Sequence, residues 1–269
     1  MAETKNIMIV GVGGQGTLLT SRILGGITVE AGYDVKLSEV HGMAQRGGSV
    51  VTYVRYGEKV AEPIVEEGQA DVLIAFERLE ALRYAHFLKK DGVIIVNDQR
   101  IDPMPVVTGV AKYPDGIIEK LSKKYRVVSV DAMDEAIKMG NSRVFNVIIL
   151  GIAAKNMDFP KEQWIEVIKK TVPAKTIDIN VAAFEKGYEL AFLHANVKCE
   201  NVEDKTVFPV KIMESGDTKT IGEVLQITSE NKDNPVVTKG YVVAVGDGCC
   251  FIADKTGSIL VYSSDAVKD

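Results

Sequence analysis

Cysteine and histidine are scarce in this sequence of 269 residues, which contains three of each. The cysteines are Cys199, Cys249 and Cys250. Their number is odd, two of them are adjacent, and none of the spacings typical of zinc or iron–sulfur ligation is present. We therefore expect neither a disulfide framework nor a metal centre in this chain, and the predicted compartment is a reducing cytoplasm.

Long apolar runs and an excess of positive charge are missing as well. No run approaches the roughly 18 residues that a membrane-spanning helix needs. The first apolar stretch, NIMIV (6–10), is short, follows no basic region and ends in glycines, so it is predicted to be a strand and not a signal peptide. The net charge of -5 and the isoelectric point near 5.4 argue against a general nucleic-acid-binding protein.

Strand-like apolar runs alternate with helical patterns over residues 1–195. The predicted strands are 6–10, 34–40, 49–56, 70–76, 92–98 and 126–132. The predicted helices are 15–32, 77–92, 132–139, 142–156, 160–171 and 178–194. Near-continuous apolar strands between helices are typical of a parallel sheet that is covered on both faces. The sequence therefore predicts a doubly wound, Rossmann-like α/β domain.

Residues 196–269 have a different composition, with no arginine, eight lysines and twelve acidic residues, a net charge of 8 - 12 = -4. The predicted strands here are TVFPVKIM, VVTKGYVVAVG, CCFIADK and SILVYS, with one short helical stretch, TIGEVLQIT, between the first two. They predict a small closed all-β barrel that resembles the OB-fold, with a hairpin turn at DKTG (254–257). OB-folds usually bind nucleic acid through a basic groove. Because this segment is acidic, we expect a docking or stabilising module instead.

The stretch GVGGQG (11–16) fits the pattern G-x-G-x-x-G, follows a predicted strand and opens a predicted helix. Such a turn lets backbone N–H groups at a helix N-terminus approach a phosphate closely. Glu39 ends the second strand, about where an acid that binds ribose would lie. Alone, this pattern indicates a nicotinamide or flavin dinucleotide; the alternative is a turn needed only for close strand–helix packing.

A second motif, HGMAQRGG (41–48), counts against the dinucleotide, because it fills the space where the adenosine ribose would lie. We expect this loop and the glycine turn at the carboxyl ends of neighbouring strands, where ligands bind in open α/β sheets. The fork-shaped guanidinium of Arg46 suits a phosphate or a carboxylate. In the alternative interpretation, Arg46 pairs with a carboxylate of this chain or of a partner, and His41 caps backbone groups.

The predicted ligand-binding residues are the backbone and side-chain donors of these two motifs: Gly11, Gly13, Gly14, Gln15, Gly16, His41, Gln45, Arg46, Gly47 and Gly48. No catalytic residue and no metal ligand is predicted in the chain.

Three stretches of this sequence together resemble the gamma-type domain of the 2-oxoacid:ferredoxin oxidoreductases, and most of all the enzymes that act on indolepyruvate. They are IMIVGVGGQGTLLTSRIL, SEVHGMAQRGGSVVTYVRYG and ADVLIAFERLEALRY. NVIILG (146–151) and the pattern N-x-x-x-F-x-x-G at Asn180, Phe184 and Gly187 match as well. The resemblance covers about residues 5–193. Residues 196–269 depart from it, since the subunit usually ends near FEKGYEL.

The resemblance implies an enzyme that oxidatively decarboxylates arylpyruvates to aryl-acetyl-CoA and reduces ferredoxin. It places thiamine diphosphate and [4Fe-4S] clusters on a larger alpha subunit and makes coenzyme A a co-substrate. This chain would then hold no tightly bound cofactor and would be inactive alone. The expected partners are the alpha subunit and, through the complex, ferredoxin, with no membrane and no nucleic acid. Whether the two motifs bind coenzyme A or the partner stays open.

Two other functions remain as alternatives at this point. The first is a free-standing NAD(P)- or FAD-dependent oxidoreductase, which the glycine pattern alone would favour. The second is a binding protein that uses residues 196–269 on nucleic acid, which the OB-like order of strands would favour.

Overall fold

The computed structural model describes residues 4–42 and 47–193 and, in the C-terminal region, 218–219, 237–238, 241–246, 249–254 and 257–262. The chain divides into two compact units, Met1–Ala191 and Phe192–Asp269. The predicted boundary after residue 195 lies four residues beyond this division, since 195 - 191 = 4. That the two predicted domains, 1–195 and 196–269, fold independently stays a prediction.

Six strands form the sheet of the first unit. In chain order they are β1 (Lys5–Val12), β2 (Asp34–His41), β3 (Ser49–Gly57), β4 (Ala70–Ala75), β5 (Leu88–Asn97) and β6 (Arg126–Val130). Their order across the sheet is β2-β3-β1-β4-β5-β6. The strands β1, β4, β5 and β6 run parallel to one another, whereas β3 is antiparallel to both of its neighbours, β2 and β1. The α/β class is confirmed, but the expectation of a fully parallel sheet is wrong for β3.

The reversal of β3 has a simple cause in the length of its connection to β2. Only residues 42–48 join the two strands. Seven residues can close a hairpin, whereas a parallel crossover takes about a dozen or more. As a result, β3 lies between β1 and β2. The sequence had led us to expect that β1 and β2 would be neighbours, and this expectation is wrong.

Eight helices are found among the described residues of the first unit. They are α1 (Thr17–Glu30), α2 (Arg78–Tyr84), α3 (Met104–Val107), α4 (Ile117–Ser122), α5 (Ala132–Lys138), α6 (Phe145–Ala154), α7 (Lys161–Thr171) and α8 (Ile177–Leu193). Helix α1 packs on β1, β2 and β3 and contacts α6 and α7, while α6 packs on β4 and β5. Helices α2 and α4 pack together and cover the other face, where Met8, Val10, Leu73 and Ile94 join one apolar cluster with them. Both faces of the sheet are therefore covered.

The predicted helix over 77–92 is wrong in its second half. Helix α2 ends at Tyr84, a 3-10 turn covers Ala85–Phe87, and β5 begins at Leu88. A Cβ atom on Gly92 would lie 2.7 Å from Cγ of Leu88 and 3.0 Å from the carbonyl oxygen of Ala70. Gly92 therefore serves close packing in the sheet and does not stop a helix. The short helices α3 and α4 were not predicted.

Two glycines allow helices α6 and α8 to pack closely. A Cβ on Gly151 would lie 2.2 Å from the carbonyl oxygen of Phe184, and a Cβ on Gly187 would lie 1.9 Å from that of Ile148. Phe184 stacks on the buried indole of Trp164, with the ring centroids 5.9 Å apart. Close packing of these two helices therefore explains the glycines of NVIILG and of the pattern N-x-x-x-F-x-x-G.

The described part of the second unit consists of strands β7 (Thr218–Lys219), β8 (Val237–Thr238), β9 (Tyr241–Gly246), β10 (Cys249–Asp254) and β11 (Gly257–Tyr262). The last three form an antiparallel sheet, and β7 pairs with β8. Asp254 lies opposite Gly257, which confirms the hairpin predicted at DKTG. The predicted strand TVFPVKIM and helical stretch TIGEVLQIT lie outside the described residues, and the closed OB-like barrel stays a prediction.

Candidate functional site

The carboxyl ends of the parallel strands meet at one edge of the sheet, which β3 reaches with its first residue. The glycine turn (residues 13–16) follows β1 at this edge, and the hairpin loop (residues 42–48) connects β2 to β3. The two segments are in contact, because the N–H of Gly13 donates to the carbonyl oxygen of Gly48 at 2.9 Å. The structure therefore brings the two predicted motifs together, although their strands are separated by β3.

The register across the sheet places His41 apart from the glycine turn. His41 and Gly11 both lie opposite Val50, on its two sides. Two strand spacings separate them, roughly 10 Å. The His41 side chain is exposed, with Nδ1 3.3 Å from the carbonyl oxygen of Gly42. The predicted donors Gln45 and Arg46 lie outside the described residues, so their place at this edge stays a prediction.

Gln15 holds the glycine turn in shape with its buried side chain. Its Oε1 accepts from the N–H of Val12 at 2.7 Å, and its Nε2 donates to the carbonyl oxygen of Phe76 at 3.0 Å and to Oε1 of Gln99 at 3.2 Å. Both hydrogens of the amide are used within the chain. The side chain therefore has a structural role, and that it also binds a ligand stays a prediction.

Asn97 continues this network beneath the site. Its Nδ2 donates to the carbonyl oxygen of Phe76 at 3.2 Å and to Oε1 of Gln99 at 3.1 Å, and its Oδ1 accepts from the N–H of Ala132 at 3.0 Å. The side chain is fully buried, and satisfied buried networks of this kind fix local geometry. The ends of β4, β5 and β6 are thus held in one arrangement.

Helix α1 begins at the glycine turn without a cap of its own. Its N-cap residue, Gly16, has φ 90° and ψ 25°, a left-handed conformation that favours glycine. No side chain caps this end, and its first turn contains no acidic residue. By contrast, α2 and α5 are capped by the carboxylates of Glu77 and Asp131. The amino end of α1 therefore keeps its partial positive charge.

The hydrogen bonds of the turn show which backbone donors are still unused. The N–H of Val12 donates to Gln15, that of Gly13 to Gly48, and that of Gln15 to the carbonyl oxygen of Val12. Within the described ranges, no protein acceptor is found for the N–H groups of Gly14, Gly16, Thr17 and Leu18. Of the predicted donors in this turn, Gly14 and Gly16 therefore keep a free N–H group within the described residues, whereas Gly13 does not, and binding of an anion here stays a prediction.

Asn146 lies against this turn and was given no role by the sequence. It is the second residue of α6 and is 4% exposed. A Cβ on Gly16 would lie 2.1 Å from its Nδ2, so the amide is packed directly on the glycine. Its Oδ1 is buried and has no hydrogen-bond partner in the described part of the chain. Only its position in NVIILG could have drawn attention to it.

Two carboxylates at the start of α2 were also missed. Glu77 and Glu80 are 1% and 3% exposed. Burial raises the pKa of Glu80, while hydrogen bonds from Ser49 and Arg83 act in the opposite direction. Burial and a hydrogen bond to Glu77 also raise the pKa of the Tyr113 phenol. The two carboxylates follow β4 directly and adjoin the edge that carries the glycine turn.

The topology argues against a dinucleotide site. In the Rossmann arrangement the acid that binds ribose follows the strand next to the first one. Here β3 separates β2 from β1, and Glu39 accepts a hydrogen bond from Thr52 of β3 at 3.3 Å. Glu39 is therefore displaced by a whole strand from the position that the glycine pattern alone had suggested.

No helix within the described residues is long and apolar enough to cross a membrane. Nor does the described part of the chain bring together three or more His, Cys, Asp or Glu side chains that could hold a metal ion.

Comparisons with known proteins identify the family of the chain. Residues 6–190 match the family described as pyruvate ferredoxin/flavodoxin oxidoreductase. The indolepyruvate oxidoreductase subunit IorB of Thermococcus kodakarensis is 44% identical over 192 residues, which cover 69% of this chain and 95% of that protein. The structure of a keto/oxoacid ferredoxin oxidoreductase gamma subunit from Geobacter sulfurreducens aligns with a TM-score of 0.53 and 25% identity, over 70% of this chain and 98% of that one.

A third comparison shows the same fold inside a longer chain. The 2-oxoglutarate:ferredoxin oxidoreductase from Magnetococcus marinus, solved with 2-oxoglutarate, coenzyme A and succinyl-CoA bound, aligns with a TM-score of 0.54 and 19% identity. The match covers 71% of this chain and 31% of that one.

The chain belongs to the pyruvate ferredoxin/flavodoxin oxidoreductase family. Within that family, it is a gamma-type subunit of a 2-oxoacid:ferredoxin oxidoreductase.

Proposed function

We propose that this chain is the subunit without clusters of an indolepyruvate, or arylpyruvate, ferredoxin oxidoreductase. The 44% identity to an indolepyruvate oxidoreductase subunit over 95% of its length supports this substrate class. The reaction converts an arylpyruvate, coenzyme A and two oxidised ferredoxins into aryl-acetyl-CoA, carbon dioxide, two reduced ferredoxins and a proton. As the resemblance implies, thiamine diphosphate and the [4Fe-4S] clusters reside on a larger alpha subunit, and this chain has no catalytic residue.

The observation that carries the proposal is the uncapped amino end of α1 at the edge of the sheet. Coenzyme A is a polyanion, and helix N-termini with free N–H groups bind phosphate groups. The donors available to it are the N–H groups of Gly14, Gly16 and Thr17, which have no protein acceptor among the described residues. Arg46, predicted at the same edge, would add a paired contact to a phosphate.

The larger subunit needs a surface on which to bind, and the segment after β5 offers one. Met104, Val107 and Val110 are 68%, 65% and 83% exposed, and no residue of α3 is buried. Met104 and Val107 lie one helical turn apart, and exposed apolar patches are typical of protein interfaces. We therefore assign the apolar projection, residues 101–112, to contact with the alpha subunit.

The test is to express the chain alone and together with its alpha subunit, and to assay arylpyruvate-dependent reduction of a viologen dye. The complex should turn over only when coenzyme A is present, and the isolated chain should be colourless and inactive. Turnover by the isolated chain would refute the proposal. So would a complex that prefers pyruvate or 2-oxoglutarate to every arylpyruvate.

A Gly14→Asp variant separates ligand binding from partner binding. A Cβ at residue 14 meets no described atom within 4 Å, so the carboxylate has room, although the φ of 102° adds backbone strain of about 1–2 kcal/mol. The charge of the carboxylate would repel an anion at the amino end of α1. We expect co-purification to persist while the KM for coenzyme A rises. Loss of the partner with an unchanged KM in the residual complex would instead make this edge an interface.

A further inference from the structure

The first turn of α2 contains two buried carboxylates whose oxygens all receive hydrogen bonds. Glu77 accepts from the N–H of Glu80 at 2.9 Å, from the N–H of Ile101 at 3.1 Å and from the hydroxyl of Tyr113 at 2.5 Å. Glu80 accepts from the hydroxyl of Ser49 at 2.5 Å and from Nη1 of Arg83 at 2.8 Å. Burying a carboxylate is costly unless it is well paired, so two in one turn call for a reason.

Helix capping explains only one of them. Glu77 is the N-cap residue, and its side chain accepts from the N–H of Glu80. In a capping box the carboxylate of the third helical residue reaches back to the N–H of the N-cap. Glu80 occupies that third position, but its Oε2 accepts a hydrogen bond from Ser49, the first residue of β3. Its burial is therefore not required by the helix.

The contact of Glu80 anchors the hairpin loop. Ser49 follows Gly48 directly, and the carbonyl oxygen of Gly48 accepts from the N–H of Gly13 at 2.9 Å. Only Ser49 and Gly48 stand between the Glu80 carboxylate and the glycine turn. A displacement of Ser49 would therefore act on the backbone hydrogen bond that joins the loop to the turn.

Glu77 anchors a second segment, residues 101–113, in the same way. Its Oε1 receives hydrogen bonds from Ile101 and Tyr113, which stand at the two ends of residues 101–113. The guanidinium of Arg100 lies over the ring of Tyr113, 4.4 Å from its centroid, and closes the same two ends. The base of the apolar projection is thus fixed, while its apolar tip stays exposed.

We propose that Glu80 is a positioning residue that holds the hairpin loop against the glycine turn through Ser49, and that Glu77 is its counterpart for residues 101–113. The first turn of α2 then fixes the positions of the hairpin loop and of residues 101–113, which border the proposed ligand site. That these segments serve coenzyme A and the alpha subunit rests on the proposed function, whereas the anchoring itself does not.

The anchoring is tested on the full-length chain alone, by hydrogen–deuterium exchange of Glu80→Gln and Ser49→Ala. Each variant weakens or removes a hydrogen bond to a charged group, and we expect about tenfold faster exchange in peptides covering 41–49 and 11–16. Peptides of β5 should exchange as in the parent protein. Ser49→Thr, which keeps a hydroxyl, should restore the parental rates.

Asp134→Asn is the matched control. Asp134 is also the third residue of a helix capped by a carboxylate, but its own carboxylate pairs with Lys138 of the same helix at 2.7 Å. It should leave exchange of the loop and the turn unchanged. Equal rates in Glu80→Gln and the parent protein would overturn the proposal, as would an effect of the same size in Asp134→Asn.

The functional part is tested in the complex with the alpha subunit. There Glu80→Gln and Ser49→Ala should raise the KM for coenzyme A about tenfold and leave kcat within about twofold, since they loosen a binding loop and remove no reacting group. Faster exchange with an unchanged KM would show that the anchor does not serve the ligand site. A complex that does not use coenzyme A at all would count against the proposed function, while the exchange result would still stand.

Discussion

Replacing Gly16 by alanine tests whether the glycine turn is shaped by its contact with Asn146. At φ 90° an alanine is strained, which costs about 1–2 kcal/mol. In addition its Cβ would lie 2.1 Å from Nδ2 of Asn146. Overpacking costs about 1–3 kcal/mol, and we expect the lower half because a side-chain amide can rotate. The free energy of unfolding should therefore fall by about 2–4 kcal/mol.

Gly14 is the matched control in the same turn. Its φ of 102° imposes a similar strain on alanine, but no described atom lies within 4 Å of the new Cβ. Gly14→Ala should therefore cost only about 1–2 kcal/mol. In an Asn146→Ala background, the cost of Gly16→Ala should fall to the same value, because the clash is gone.

The assay is urea unfolding followed by tryptophan fluorescence. Trp164 is the only tryptophan in the sequence, and it is fully buried against Phe184, so the signal reports on the first unit alone. Equal costs for Gly16→Ala and Gly14→Ala in the parent background would refute the reasoning. Such a result would mean that packing against Asn146 does not shape the amino end of α1.

Four further outcomes are expected. Burial raises the pKa of Glu80 in the folded chain, so the folded state binds a proton more tightly than the unfolded state does. The resulting contribution to the free energy of unfolding is greatest below the usual pKa near 4.5 and is lost as the pH rises through the raised pKa. Glu80→Gln should abolish this pH dependence in urea titrations at several pH values. Val107→Asp, at the exposed tip of the apolar projection, should weaken binding of the alpha subunit at least tenfold by calorimetry, whereas Val29→Asp, at the far end of α1, should not. Arg46→Lys should raise the KM for coenzyme A about tenfold, because an ammonium cannot make the planar paired contact; an unchanged KM with loss of co-purification would favour the partner. A chain of residues 1–195 should keep the helical circular dichroism of the first unit and melt cooperatively; an aggregated fragment would show that the rest completes its core.

The strands of the sheet could be predicted from the sequence, but the order in which they pair could not. Apolar runs placed all six strands within a few residues, because buried strands keep their pattern whatever their neighbours are. The reversed strand β3 could have been predicted too, since the seven residues after His41 are too few for a parallel crossover. The start of β5, LKKDG (88–92), could not be predicted as a strand. This stretch has helical propensity, and only pairing of Leu88 with Ala70 makes it a strand.

The candidate site was predictable only where it follows a motif. The glycine turn and the hairpin loop were recognised from their spacing, and the structure joins them through Gly13 and Gly48. Asn97, Glu77 and Asn146 belong to ordinary strand and helix sequences. Their roles depend on which strands and helices meet at one edge, so the fold was needed to find them.

The polar groups at this edge also indicate what kind of work it can do. The acidic side chains of α2 are turned inward and receive hydrogen bonds on every oxygen, so they are poorly placed to exchange protons with a substrate. The donors without an acceptor, within the described residues, are backbone N–H groups at the positive end of a helix, which do not titrate. Within the described residues, the backbone donors can hold an anion in place, and the two buried carboxylates are not available as a general acid or base. The proposed function, in which the reacting cofactor is on another subunit, therefore predicts that substitutions here change the KM for coenzyme A and not kcat.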